Sequence, residues 1–446
     1  MKKHVNSKQL TTAIGLNIIY TIIFVIFTII TEVRRDNPFF VILISFPAIV
    51  YLLIINYNER NNIQLNQSYM IFIWFISILL RILQLFYPVG LSDDIYRYIW
   101  NGEMHKQGIN PYTTSPNDPK VDNLYQPWWT QINHPNITSP YPPVAQFIFS
   151  LLAVDNLSIS QNILLYQVVI ILFDLGVIRL LNKILQHLQM PSHRIIIYAY
   201  SPLVIFEFAG NAHIDVIAIF FTFLSYYFIL KKHKTISAIC ITIAILIKIL
   251  PILLLLILFR YYQIKDFLIS FIVTILFIIP YIEDPISVLV PDGLIIFSRY
   301  FRFNESIYRI FHWISIELFQ DEIIARYIFA FGIILISSII FKQAVMEDYT
   351  IVRQSYWLIF LVFLISPDIQ PWYIIWIIPL FSVYIDNSGL IWSITVLFSY
   401  FIYLEYDSSG IWIENPLILL IEYTPVYLLL LNRINTTRIR NKSNEN

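Results

Sequence analysis

Two adjacent carboxylates, Asp93 and Asp94, stand in the stretch LSDDIYRYIWNGEMHKQGINPYTTSPNDP, just beyond the third long apolar run. In SDDIYRY, Ser92 reads as an N-cap and the two aspartates as the first helical turn. Arg97 follows on the same face, three and four residues on, where a local ion pair is expected. Capping and ion pairing are one reading of such a pattern. The other is general-base chemistry, because a carboxylate at a helix start beside a bilayer is partly desolvated and binds a proton more readily. No His/Cys cluster or dense acidic set accompanies the pair, so the residues themselves call for neither a metal nor another cofactor.

The elements that must position this pair are membrane helices. Of the 446 residues 58% are hydrophobic and only 13% charged, against roughly a quarter charged in an ordinary soluble domain. Many apolar runs reach about 20 residues, the length that crosses a hydrocarbon core. The composition therefore predicts an all-α integral membrane protein, polytopic, with about 12 to 14 membrane segments. Lys plus Arg and Asp plus Glu balance at 29 each, which gives no reason to expect a nucleic-acid partner. A single cysteine, Cys240, excludes an intrachain disulfide. The basic start MKKHVNSK and the run Leu10 to Thr31 read as an uncleaved anchor.

Expected spans are Leu10 to Thr31, Phe39 to Ile55, Tyr69 to Val89, Asn162 to Leu181, Ile195 to Ala209 and Asn211 to Leu230. After KKHK come Ile236 to Phe259, Phe267 to Ile282, Glu322 to Phe341, Ser355 to Ser366, Trp372 to Ile385, Leu390 to Leu404 and Pro416 to Leu431. The Lys/Arg bias of the short loops puts both termini in the cytoplasm. That count works if Ile236 to Phe259 is a broken hairpin turning near Lys248 and Pro251; a single proline-kinked span is the competing reading. YPPVAQFIFSLLA is too short to cross and should dip into the outer interface. Residues 91–143, 283–321 and the turns GNAHIDV and SPDIQPWY then share the outer face, with Trp128, Trp129 and Tyr141 suited to the interface. The chain divides as one membrane unit: two extra spans in 1–68, a central module over 69–341 and a C-terminal helical part over 342–446.

The ordered set SDDIYRYIWNGEMHKQGINPY, INHPNITSPYPPVAQ, GNAHIDV, AILIKILP, FRFNESIY and PDIQPWYIIWIIP, from about Tyr69 to Leu380, resembles bacterial glycosyltransferases of the GT-C superfamily. More narrowly it is similar to the DUF2029 and mannosyltransferase-like group. The resemblance implies a polyprenyl-phosphate sugar donor, usually of mannose, and inverting transfer on the extracytoplasmic face to a glycan or glycolipid. It also implies an aspartate base in the first large outer loop. Asp94, Arg97 and Tyr98 fit the D-x-x-R-Y pattern of relatives, leaving Asp93 auxiliary. Two spans precede the helix that carries this loop, whereas many relatives begin with that helix, and Asn101 stands where an acid is expected.

A lipid-phosphate sugar is already activated, so the protein must take a proton from the acceptor hydroxyl and stabilise a departing phosphate. One base, worth roughly 10²- to 10⁴-fold, and a few cations suffice. For the phosphate, Arg299 and Arg302 in SRYFRFNES are the first choices, since a guanidinium fork matches phosphate oxygens; Asn304 lies beside them. His213 and Asp215 are expected to bind sugar or orient phosphate, or else to cap a helix. Lys248, inside an apolar run, costs roughly 2.5 to 3.5 kcal/mol on insertion scales and needs a partner, either local carbonyls or the carrier lipid. Gln370, Trp372, Tyr373 and Tyr141 could line a sugar site, although interfacial aromatics commonly act as anchors. A transporter or lipid-linked sugar flippase is the rival reading. It predicts polar groups along a midplane pathway between inverted repeats, whereas no such repeat is visible and the polar groups gather at one face.

Overall fold

The computed structural model describes residues 7–31, 38–63, 66–281, 285–343, 348–409 and 412–444. Ile282, Glu283 and the basic start Met1 to Asn6 lie outside them. The chain begins with α1 (Ser7–Thr31), α2 (Phe39–Asn61) and α3 (Gln67–Gln84). The segment with the paired carboxylates forms α4 (Asp94–Lys106), followed by the short α5 (Pro143–Leu152) and the long α6 (Ile159–His187). Next are α7 (Pro202–Gly210), α8 (Asp215–Leu230), α9 (Lys234–Ile245), α10 (Leu250–Tyr261) and α11 (Ile264–Tyr281). Then come α12 (Asp292–Tyr300), α13 (Ile307–Ile314), α14 (Ile323–Lys342) and α15 (Asp348–Leu364). The chain closes with α16 (Pro371–Val383), α17 (Asn387–Leu404) and α18 (Pro416–Asn444).

Among the described residues, eight helices are long and apolar enough to cross a membrane, namely α1, α2, α3, α6, α11, α14, α17 and α18; the pair α7 and α8, bent by 118°, makes a ninth if taken as one span. The remaining expected segments are shorter apolar helices such as α5, α9, α10 and α16. Among the described residues, β pairing is confined to one parallel bridge, Phe303 with Asp368. Ile195 to Ala209 is not a continuous span. Ser201 and Pro202 divide it, because proline disfavours helical backbone in the residue before it.

The segment after KKHK is a broken hairpin. Tyr262 Oη, past the end of α10, lies 2.9 Å from Ser237 Oγ near the start of α9, and Thr235 donates to Asp266 at 2.7 Å. Both ends thus meet at the C-terminal end of α8, while the tip at Leu246 and Lys248 reaches α8's opposite end, at Asp215. The Leu246 carbonyl at that tip accepts from Val144 and Ala145, at 2.9 and 3.2 Å. The proline-started α5 therefore finds an acceptor for its first free N–H groups in the broken hairpin.

Two devices place α4. Arg81 in α3 and Asp174 in α6 form a fully buried ion pair at 2.6 Å, and Arg81 also donates to the carbonyls of Ser77 and Ala199. A charge inside a membrane helix needs such a partner. The pair fixes the helix that leads into the carboxylate turn. Second, α4 lies directly on α5 at Gly102, where an added Cβ would sit 2.2 Å from the Phe149 carbonyl oxygen. Tyr98 stacks on Phe149 at 4.8 Å. Trp128 and Trp129, expected at an interface, are buried instead, in aromatic contact with Tyr96 and Trp100 of α4.

Candidate active site

The α4 N-terminus opens onto a cavity of about 1570 Å³, larger than the ~300–1,000 Å³ of a typical small-molecule pocket. Two substrates fit such a space. Asp93 is the N-cap and Asp94 the first helical residue, one position later than the sequence reading, and Ser92 Oγ accepts from the Asp94 amide at 3.3 Å. Both carboxylates line the cavity. Asn133 Nδ2 donates to Asp94 Oδ1 at 2.7 Å; Tyr141 Oη and Tyr98 Oη donate to Oδ2 at 3.3 and 3.4 Å. Tyr98 lies one turn on in α4 itself, whereas Asn133 and Tyr141 reach the carboxylate from the segment that follows.

Arg97 does not form the expected ion pair with Asp94. Its guanidinium donates to the carbonyls of Ile137 at 2.6 Å and His134 at 3.4 Å, because residues 133–141 fold over α4 and offer carbonyl acceptors there. Arg97 thereby ties down the segment that carries Asn133 and Tyr141. It also lies over the Trp100 ring.

Behind Asp94 is a buried polar layer from the GNAHIDV turn. The π-turn ending α7 and a left-handed Ala212 (φ 56°) reverse the chain. Such backbone costs about 1–3 kcal/mol and persists where the surroundings over-determine it. It delivers His213, fully buried, with Nδ1 3.8 Å from Asp94 Oδ2 and Nε2 3.1 Å from Glu207 Oε2. Trp372 stacks on the imidazole at 4.2 Å. Asp215 accepts from Trp376 Nε1 at 3.0 Å and pairs with Lys248 at 3.1 Å. Neither His213 nor Asp215 lines the cavity; Lys248, between the Tyr141 and Tyr373 rings at 5.2 and 6.0 Å, does line it.

The facing wall comes from the C-terminal part of the chain. Phe303 N donates to the Pro367 carbonyl at 3.0 Å and Ile369 N to the Phe303 carbonyl at 2.9 Å, stitching the FRFNES and SPDIQPWY loops together. Arg302, Asp368, Gln370, Trp372 and Tyr373 line the cavity. Burial pushes the Asp368 carboxyl up to about 7. Arg302 forms a two-pronged pair with Glu305, one bond at 3.0 Å.

Arg299 is not part of the site. Gly293, Leu294, Phe297 and Tyr300 of α12 line the cavity, and the helical period turns Arg299 to the opposite, exposed face, over Tyr300. Asn304 is buried with left-handed backbone (φ 51°) and donates to Glu422 at 3.0 Å and to the Ile369 carbonyl. It clamps the wall from behind, out of reach of a molecule in the cavity. Sequence reading missed Asn133, Glu207 and Asp368, although Asn133 and Asp368 sit inside the quoted stretches INHPNITSPYPP and PDIQPWY.

Residues 48–262 match the family model described as alpha-(1->6)-mannopyranosyltransferase, N-terminal domain. No curated protein matches the chain. The matched stretch, just under half of the chain, carries Asp94, Tyr141, His213, Asp215 and Lys248, that is, the carboxylate side of the cavity and the layer behind it. Together with the polytopic helical fold, this match makes the chain an enzyme, a membrane glycosyltransferase.

Proposed function

We propose that the protein is a mannosyltransferase of the GT-C superfamily, with a motif order similar to that of the DUF2029 and mannosyltransferase-like group. It moves mannose from a polyprenyl-phosphate carrier to an extracytoplasmic glycan or glycolipid. The observation that carries this reading is Asp94, a carboxylate fixed by Asn133, Tyr98 and Tyr141 at the edge of a cavity large enough for two substrates.

In the reaction an acceptor hydroxyl gives its proton to Asp94 as its oxygen bonds to the anomeric carbon. The bond from that carbon to the phosphate oxygen breaks, and the lipid phosphate leaves with the electron pair. An α-linked product made with inversion requires a β-linked donor. Lys248 and Arg302 are the cations on the cavity wall suited to the leaving phosphate, each also paired with a carboxylate, Asp215 and Glu305; Arg97, also there, donates to backbone carbonyls.

The test is incubation of purified protein with short-chain polyprenyl-phosphate mannose or glucose and a mixed glycan extract, read by mass spectrometry. A hexose adduct formed only with the mannose donor supports the reading. Transfer only from the glucose donor, or from neither, contradicts it.

A further inference from the structure

Across the cavity from the proposed base lies a second carboxyl that the transfer step does not use. Asp368 is buried yet lines the cavity. Its Oδ1 accepts from Gln370 Nε2 at 3.0 Å and the Tyr373 hydroxyl lies beside the carboxyl, while the buried Oδ2 makes no hydrogen bond of ordinary length and angle. Among the described residues it has no ion-pair partner within 4 Å either; Arg302 on the same wall pairs with Glu305, and Arg326 donates to the Phe301 carbonyl. Its backbone is held at the cavity wall, because Phe303 bonds to Pro367 and Ile369 on either side and Ser366 Oγ donates to the Asp368 main-chain carbonyl at 3.0 Å.

A buried oxygen left open in this way is costly unless a ligand completes it. The chemistry narrows the ligand. An acyl chain would leave Oδ2 unpaired, and a phosphate would set like charge against a desolvated carboxylate. A hydroxyl satisfies Oδ2 in either protonation state, donating to the carboxylate or accepting from the acid. Gln370 adds an amide beside it, and the adjoining Trp372 and Tyr373 rings supply the apolar surface against which the C–H face of a pyranose packs.

We propose that Asp368 and Gln370 form a saccharide subsite that holds a neutral pyranose by its hydroxyls. This rests on the reading of the protein as a sugar transferase, since that reading makes a pyranose the molecule present.

The experiment uses full-length protein in detergent and saturation-transfer NMR with the methyl α-glycosides of mannose, glucose and galactose. Asp368→Leu and, as a second variant, Gln370→Met are compared with wild type after a thermal melt establishes that each is folded. At least one glycoside should bind wild type and the Asp94→Asn variant alike, and bind a folded Asp368→Leu or Gln370→Met variant roughly tenfold more weakly, as expected for lost hydrogen bonds. Unchanged binding in both variants, or no binding of any glycoside to wild type, overturns the subsite. Addition of polyprenyl-phosphate mannose distinguishes the source: displacement assigns the subsite to the donor hexose, and simultaneous binding assigns it to the acceptor sugar. Binding of the glucoside without the mannoside leaves the subsite standing while the choice of mannose falls.

Discussion

Lys248 Nζ stands 3.1 Å from Asp215 Oδ2, joining the tip of the α9–α10 hairpin to the first residue of α8. An isolated ammonium in an apolar run thereby acquires its counter-charge, and an aspartate that is almost fully buried acquires a cation. The pair also sets the ammonium between the Tyr141 and Tyr373 rings, one from each wall of the cavity.

Breaking this pair from one side should therefore be worse than removing it. Lys248→Met leaves Asp215 buried and unpaired, at a cost of about 3–5 kcal/mol. Lys248→Met combined with Asp215→Asn should regain most of that loss, although transfer activity stays low. Thermal melts of the two single variants and the double variant in one detergent check the ordering. Additive losses would show that the pair contributes nothing as a pair.

Orientation can be tested by thiol labelling. In a Cys240→Ser background, a cysteine at the exposed position Asn123 should react with an impermeant maleimide in intact cells, and one at Lys232 should not. The opposite pattern would put the carboxylates in the cytoplasm, where nucleotide sugars are available, and would contradict a lipid-linked donor.

Asp368 makes stability depend on pH with a definite sign. Its carboxyl has an ordinary value of 3.8 and is raised to about 7 in the folded protein. The folded state therefore holds the proton more tightly between these values. The stability this confers is complete below about 4 and is lost as pH rises through about 7, at up to about 1.4 kcal/mol per pH unit. Asp368→Asn should flatten that fall. Other carboxyls are also raised, Glu103 to about 7 among them, so the quantity to measure is the difference in melting temperature between variant and wild type from pH 4.5 to 8. A difference that does not change with pH would contradict a buried, protonated Asp368.

The two arginines of SRYFRFNES should separate. Arg302→Gln, on the cavity wall, should raise the donor KM about tenfold with a smaller effect on kcat, as loss of a charge-assisted contact does. Arg299→Gln, on the outer face of α12, should leave both within about twofold, as surface substitutions usually do. An effect of Arg299 without one of Arg302 would place the phosphate elsewhere.

Much of this architecture is legible in the sequence because it rests on local rules. Basic residues at both ends of the Ile236 to Phe259 run allowed a hairpin beside a single kinked span, and Pro142 with Pro143 announced a short helix. The convergence of the SDDIYRY and SPDIQPWY segments followed from loop placement. What escaped depends on partners far along the chain. Arg81 and Asp174, 93 residues apart, are each a single charge inside an apolar run, and only packing of α3 on α6 makes them a pair. Arg97 satisfied the spacing rule for an ion pair, yet the loop at 134–137 supplied nearer acceptors. Arg299 and Arg302 could not be ranked without the phase of α12. Asp368 matters because its backbone is stitched to Phe303, which no periodicity reveals.

The most direct measurement concerns Asp94. Asp94→Asn keeps the size and most of the polar contacts of the side chain but removes the basic site. The variant should fold with an unchanged melting temperature and donor binding, and its turnover should fall by roughly 10²-fold or more, with a smaller loss for Asp93→Asn. An Asp94→Asn protein that is stable and transfers hexose at the wild-type rate would contradict the assignment of the base.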